Sequence, residues 1–76
     1  MWIRSQDKQQ LVEAKKYIRV WYNYTSKENR CINVNDEVVG VYGSEERTME
    51  VLNDIQNALK TPEYILNQKI YEMPKE

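Results

Sequence analysis

Four residues stand out for what they could bind. Lys15, Tyr17, Arg19 and Trp21 alternate cations with aromatic rings at every second position, so an extended backbone would place all four on one side. Rings in such a row can stack on exposed bases while the cations follow the phosphates, as in grooves for single-stranded nucleic acid. Arginine beside Trp and Tyr is equally the composition of protein-interface hot spots. A solvated sheet face, or rings packed beneath a short helix, would use the same residues with no ligand at all.

The other constellations carry less. Glu45, Glu46, Glu50 and Asp54 recur at helical spacing and could gather a hard cation. A solvated helix surface needs the same residues. Cys31 has no histidine to activate it, and its place in a strand opposite Gly40 suits a structural thiol, buried or partly so. Gly40-Val41-Tyr42-Gly43-Ser44 opens a helix whose free N–H groups could meet an anion, yet it lacks the lysine and glycine spacing of a phosphate loop. With no histidine and one cysteine in the chain, a zinc site, a Ser-His-Asp triad, a Cys-His nucleophile and an internal disulfide are excluded. Carboxylates paired across a deep cleft are hard to build at this size. The expectation is a protein that is not an enzyme, with no catalytic residue, no metal and no cofactor.

Charge narrows the partners. Eleven basic residues against twelve acidic ones leave a net charge of −1, whereas neutralising a phosphate backbone calls for a basic excess. Nucleic acid is therefore the weaker expectation, and an anionic membrane surface meets the same objection. Apolar runs such as Val20-Trp21-Tyr22 are far shorter than the roughly 20 residues of a membrane span or the roughly 7–15 of a signal peptide. A lone cysteine suits a reducing compartment, so the expected location is the cytoplasm. Asn23-Tyr24-Thr25 matches the glycosylation pattern, which without secretion is a chance match.

The elements that must position these residues follow from periodicity. Seventy-six residues, 41% apolar and 30% charged, allow one domain over 1–76. The first half reads as strands and the second as mostly helix, which is the α+β order. Residues 1–4 suggest a short strand anchored by Trp2. From 11 to 24 the pattern has period two, broken at Lys15-Lys16, so strands at 11–14 and 17–23 are expected with a turn or bulge between them. Thr25 to Asn29 reads as a turn. Residues 30–34 resume the alternation, and Asn35-Asp36 suits a two-residue hairpin because both tolerate a left-handed backbone. That register would set Val34 opposite Glu37 and Ile32 opposite Val39. Ile32, Val34, Val39 and Val41 would then share one side, with Gly40 marking a bulge or a close contact.

Ser44 is a natural N-cap for a helix over 44–60, with Glu45 and Glu46 in its first turn. Thr48, Val51, Leu52, Ile55, Ala58 and Leu59 line one face. Thr61-Pro62 opens a second, short helical turn, and residues 69–73 look extended, placed beside the N-terminal strand. The expected fold is α+β: a small antiparallel sheet of four or five strands with the 44–60 helix across one face. The expected core is Val12, Ala14, Ile18, Val20, Ile32, Val34, Val39, Val41, Val51, Leu52, Ile55 and Leu59.

Three blocks carry a resemblance: Met1-Trp2-Ile3-Arg4-Ser5-Gln6-Asp7-Lys8 with Leu11-Val12, then Gly40 to Arg47 running into Glu50-Val51-Leu52, then Tyr71-Glu72-Met73-Pro74. Together they resemble a group of short, uncharacterised proteins of Gram-positive bacteria and their phages or mobile elements. The resemblance implies an α+β fold and a bacterial intracellular setting, and it brings no activity, ligand or catalytic residue. The block from Ile3 to Lys8 is expected to pin the first strand, with Asp7 near Arg4 or Lys8.

The function expected from these features is a non-enzymatic protein-interaction module that uses Lys15, Tyr17, Arg19 and Trp21. Its partner would be another protein or a second copy, since so small a domain gains burial by dimerising. The alternative is a small nucleic-acid-binding or regulatory protein that uses the same basic and aromatic strand face.

Overall fold

The computed structural model describes residues 1–22 and 30–76. Their order is β1 (Trp2–Arg4), β2 (Leu11–Glu13), β3 (Ile18–Tyr22), β4 (Arg30–Val34), β5 (Glu37–Tyr42), α1 (Glu45–Ala58), α2 (Pro62–Ile65) and β6 (Tyr71–Glu72). The class is α+β, as the strand-then-helix order implies. The strands divide into two three-stranded sheets, however, ordered β2-β1-β6 and β3-β4-β5, rather than one sheet of four or five. The turn expected at Thr25 to Asn29, the residue Asn23 and the Asn23-Tyr24-Thr25 match lie outside the described residues. No helix among the described residues is long and apolar enough to cross a membrane.

The sheets separate because the chain breaks between β2 and β3. Lys15 and Lys16 interrupt the alternation there, and the side chain of Asn35 holds the break in place. Its Oδ1 accepts from the backbone N–H of both lysines at 3.0 and 2.9 Å, while its Nδ2 donates to the Glu13 carbonyl. Asn35 can reach them because it sits at the tip of the β4–β5 hairpin with φ 51°, followed by Asp36 at φ 73°. Those left-handed angles are what a two-residue hairpin turn demands.

Beyond that turn the register shifts. Val34 faces Glu37, but Ile32 pairs with Gly40 and Asn33 with Val38, so Val39 is an extra residue in β5. A bulge of this kind inverts which side chains face inward. Tyr42 therefore enters the core in place of Val41, which pairs with Cys31. Gly40 makes this possible. A Cβ there would lie 2.8 Å from the Tyr42 Oη and 3.1 Å from the Met73 Cε.

The block from Ile3 to Lys8 forms a tightly bonded hairpin. Ser5 donates its hydroxyl to Asp7 Oδ1 at 2.5 Å and accepts from the Gln10 N–H at 3.0 Å. Asp7 Oδ1 also accepts from the Gln9 N–H. The Ser5 hydroxyl, then that N–H, hold the Asp7 carboxyl below its ordinary value. The Arg4 guanidinium goes instead to the Lys8 carbonyl, at 3.0 and 2.8 Å. Asp7 is thus bound by Ser5 and Gln9, not by Arg4 or Lys8, because its short side chain closes a local turn more readily than it reaches a cation.

Gln6 points out of this hairpin toward the other sheet. Its backbone N–H donates to the Val39 carbonyl at 2.7 Å. Its side-chain amide then works like a piece of strand along β5: Oε1 accepts from the Val41 N–H at 2.8 Å and Nε2 donates to the Val41 carbonyl at 3.0 Å. The same Nε2 donates to the Lys75 carbonyl at 2.8 Å. The C-terminal segment is fastened on three further sides. Met73 N–H donates to the Arg4 carbonyl, Tyr42 Oη–H to the Pro74 carbonyl, and Arg47 to the Glu76 main-chain oxygen.

Helix α1 begins as the sequence predicts. Ser44 is extended at φ −152° and its side chain accepts from the Arg47 N–H. Thr48, Val51 and Ile55 are its buried residues; they pack with Ile3, Ile32, Val34, Val39, Tyr42, Tyr71 and Met73 in the fully buried core. Val12, Ala14, Ile18, Val20 and Leu52 flank that core half-buried. Leu59 is 41% exposed although its backbone is still helical at φ −64° with its N–H bonded to the Ile55 carbonyl; it borders an open groove beside the core. Thr61 precedes α2 with Pro62 in the first turn but makes no side-chain cap bond. The last strand, β6, lies parallel to β1, with Ile3 beside Tyr71.

Two measurements check this arrangement. In urea titrations, Gly40→Ala should destabilise the fold by about 1–3 kcal/mol through overpacking. Gly43→Ala, whose Cβ would meet nothing within 4 Å, should stay within about 0.5 kcal/mol of wild type. Gln6→Glu keeps the acceptor but turns an oxygen toward two carbonyls, so it should cost about 1–3 kcal/mol at neutral pH. Protonation restores one of the two donor hydrogens, so part of that penalty should be lost as pH falls from the folded carboxyl's raised pKa down to the ordinary glutamate value of about 4.

Candidate functional site

The cation and ring ladder lies on the outer strand β3, on the side away from the core. Arg19 pairs across the sheet with Asn33 and Trp21 with Cys31. Because Tyr17, Arg19 and Trp21 alternate along an extended chain, the guanidinium can fold over both rings. Its Cζ stands 3.9 Å from the Trp21 ring centroid and 4.8 Å from that of Tyr17. One amino group, Nη2, lies 3.6 Å from Asp36 Oδ1 in the hairpin turn. Arg19 Nε is buried and has no hydrogen-bond partner among the described residues. Beyond Trp21, the Tyr22 ring meets it edge-on at 6.0 Å and carries Arg30 4.8 Å from its own centroid.

Lys15 is not part of this ladder. It belongs to the turn held by Asn35, its side chain is 72% exposed, and Nζ pairs with Glu13 Oε1 at 3.5 Å. Three of the four expected residues come together, and the fourth points elsewhere because the extended backbone begins only after it.

Beneath the ladder, Cys31 is 2% exposed and Asn33 is also buried. Cys31 Sγ lies 3.3 Å from Asn33 Oδ1 and 3.5–3.6 Å from the Tyr22 and Trp21 carbonyls. Burial pushes the thiol pKa up, and the nearby Arg19 charge offsets only part of that. A thiol held neutral among acceptors is a packing and bonding group rather than a nucleophile.

The acidic residues of α1 are partly engaged. Glu50 pairs with Arg47 at 3.2 Å, and Asp54 accepts from the Tyr71 hydroxyl at 2.6 Å. Burial, then this bond to Asp54, drive the Tyr71 phenol pKa well above its usual value. Periodicity gave no sign of two residues that prove central, Gln6 and Asn35. Each acts through side-chain bonds to distant backbone; the sequence marks Asn35 as a hairpin residue and Gln6 as part of a polar run, and neither reading reveals these bonds.

The ladder can do two things chemically. Its rings, held by stacking on a guanidinium, can contribute apolar contact area. Its Nη atoms remain within reach of solvent and of Asp36, so they can bond a carboxylate or carbonyl. Compared with protein-family models, with curated proteins and with solved structures, the chain matches none.

The buried thiol gives a direct check on this geometry. Native protein should react with a thiol reagent such as 5,5′-dithiobis(2-nitrobenzoate) at least about 100-fold more slowly than the urea-unfolded chain, because reaction waits on opening. Arg19→Ala uncovers this face and should speed the native reaction, while the unfolded rate stays the same.

Proposed function

We propose that this is a non-enzymatic protein-interaction module of a bacterial cytoplasm, which meets its partner through the Tyr17, Arg19 and Trp21 face of β3. One observation carries the reading: a guanidinium clamped between two aromatic rings on an outer strand, with Nε withdrawn from water and unbonded among the described residues. Arg, Trp and Tyr dominate interface hot spots because they give large contact areas around a polar handle. Stacking holds these three in place before a partner arrives, which lowers the entropy lost on binding. A second copy of the chain is the partner that its small size favours.

Nucleic acid is the weaker alternative on geometric grounds. Bases stack on open ring faces, and here Arg19 already occupies a face of both Tyr17 and Trp21. Lys15, which would have followed the phosphates, is turned toward Glu13.

Selection of random displayed peptides on the immobilised protein tests the proposal. Selected peptides should shift the amide signals of residues 17–22 and lose about 30-fold in affinity on Arg19→Ala or Trp21→Ala, in variants whose thermal midpoints show them folded. If the protein is dimeric by light scattering, the same substitutions should weaken the dimer. Peptides and oligomeric state both indifferent to these changes would refute the reading. So would tight binding of a labelled single-stranded oligonucleotide at about 50 mM salt, where the phosphate contribution is strong.

A further inference from the structure

A second surface adjoins the ladder at Tyr17. Between the β2–β3 turn and the C-terminal half of α1 runs a groove of about 490 Å³. Ile55 and Ile18 line its interior, with Leu52, Leu59 and Ile65 among its apolar walls. The volume falls within the range of about 300–1,000 Å³ typical of small-molecule pockets. Most of the walls are apolar, so an occupant must offer hydrocarbon to them.

Charge identifies the other end of the occupant. The chain has one more acidic residue than basic, yet the groove is lined by Lys15 and Lys16 and by no carboxylate. Both lysines are fixed at the backbone by Asn35, so their stems leave from a set position. Lys15 shares its charge with Glu13 at 3.5 Å. No ion pair is recorded for Lys16 among the described residues, which leaves it the stronger attractor. The helix end beside the groove does not cancel this charge. The Ile55, Asn57 and Ala58 carbonyls already accept from Leu59, Lys60 and Thr61, so few orphan acceptors remain there.

We infer that this groove binds a free single-chain carboxylate, its tail along Ile18, Leu52 and Ile55 and its headgroup at Lys16. Hydrocarbon burial supplies most of the affinity, and the ammonium selects the sign of the head. Tyr17 lines the groove and also carries Arg19, so the two surfaces are neighbours. They have separate chemistry.

Calorimetry with decanoate, below its micelle threshold, is the test. One decanoate per chain should bind, with amide shifts confined to residues 14–18, 52–59 and 65. Decyltrimethylammonium, with a similar tail and the opposite charge, should bind about tenfold more weakly. Lys16→Glu should weaken decanoate by about tenfold. Ile65→Glu, at a position 55% exposed and so tolerated by the fold, should weaken both amphiphiles. Trp21→Ala, at a ladder residue that does not line the groove, should leave decanoate binding unchanged, which separates a failure here from a failure of the ladder. Equal binding of the two amphiphiles overturns the assignment, as does binding only where decanoate forms micelles. A dimer that Ile65→Glu dissociates also overturns it, since the groove would then be filled by a second copy.

Discussion

The fold depends on one side-chain amide. β5 pairs with β4 along one edge, and its other edge would present backbone groups that must find partners if they are withdrawn from water. Gln6 supplies them, with donor and acceptor in the spacing of a peptide group, bonded to both the N–H and the carbonyl of Val41. Because Gln6 sits in the β1–β2 hairpin, these bonds also join the two sheets. Its second donor bond holds Lys75, so the C-terminal segment is laid across the same seam. That segment places Met73 in the core and reaches α1 through Arg47. Two small sheets, neither large enough to bury a core alone, are thereby made into one body.

The bulge at Val39 decides which residues each face presents. Without the extra residue, Val41 would point inward and Tyr42 outward. With it, Tyr42 closes the core over Gly40 and bonds Pro74. Burial pushes its phenol pKa up to about 12, against a lesser opposing pull from Arg47. Val41 instead joins Cys31 and Asn33 on the outer side, below the strand that carries Arg19 and Trp21. The platform beneath the ladder is therefore a consequence of a core-packing event on another strand.

Much of this was legible because it is local. The Ser44 cap, the apolar stripe of α1 through Ile55 and the Asn35-Asp36 turn each follow from a few adjacent residues. Period two located β3 and β4. What escaped is non-local or too short to show a period. Ile3 and Tyr71 lie in strands of three and two residues, and Met73 is buried by bonds made at a distance. The bulge changes parity without changing composition, so Val41 looked inward and Tyr42 did not. Leu59 fits the helical stripe, but the stripe runs past the core to the wall of an open groove. For the ladder, alternation grouped Lys15 with Tyr17 because it cannot tell where the extended backbone starts.

What remains is why a domain of this size would carry such a ladder. A guanidinium nitrogen that is buried without a bond loses hydration, and that loss opposes folding. Stacking on two rings returns about 0.5–2 kcal/mol, and the Asp36 contact at 3.6 Å adds little in so exposed a setting. A lysine or threonine at Arg19 would keep its solvation and leave the strand intact. The arrangement is thus hard to account for by the stability of the isolated chain, where small domains have little to spare. It is accounted for if a partner's acceptor meets the guanidinium and the partner's apolar surface packs beside the stack. The Nη atoms, which stay within reach of solvent, would then bond that acceptor, and the preformed stack makes the binding less costly in entropy.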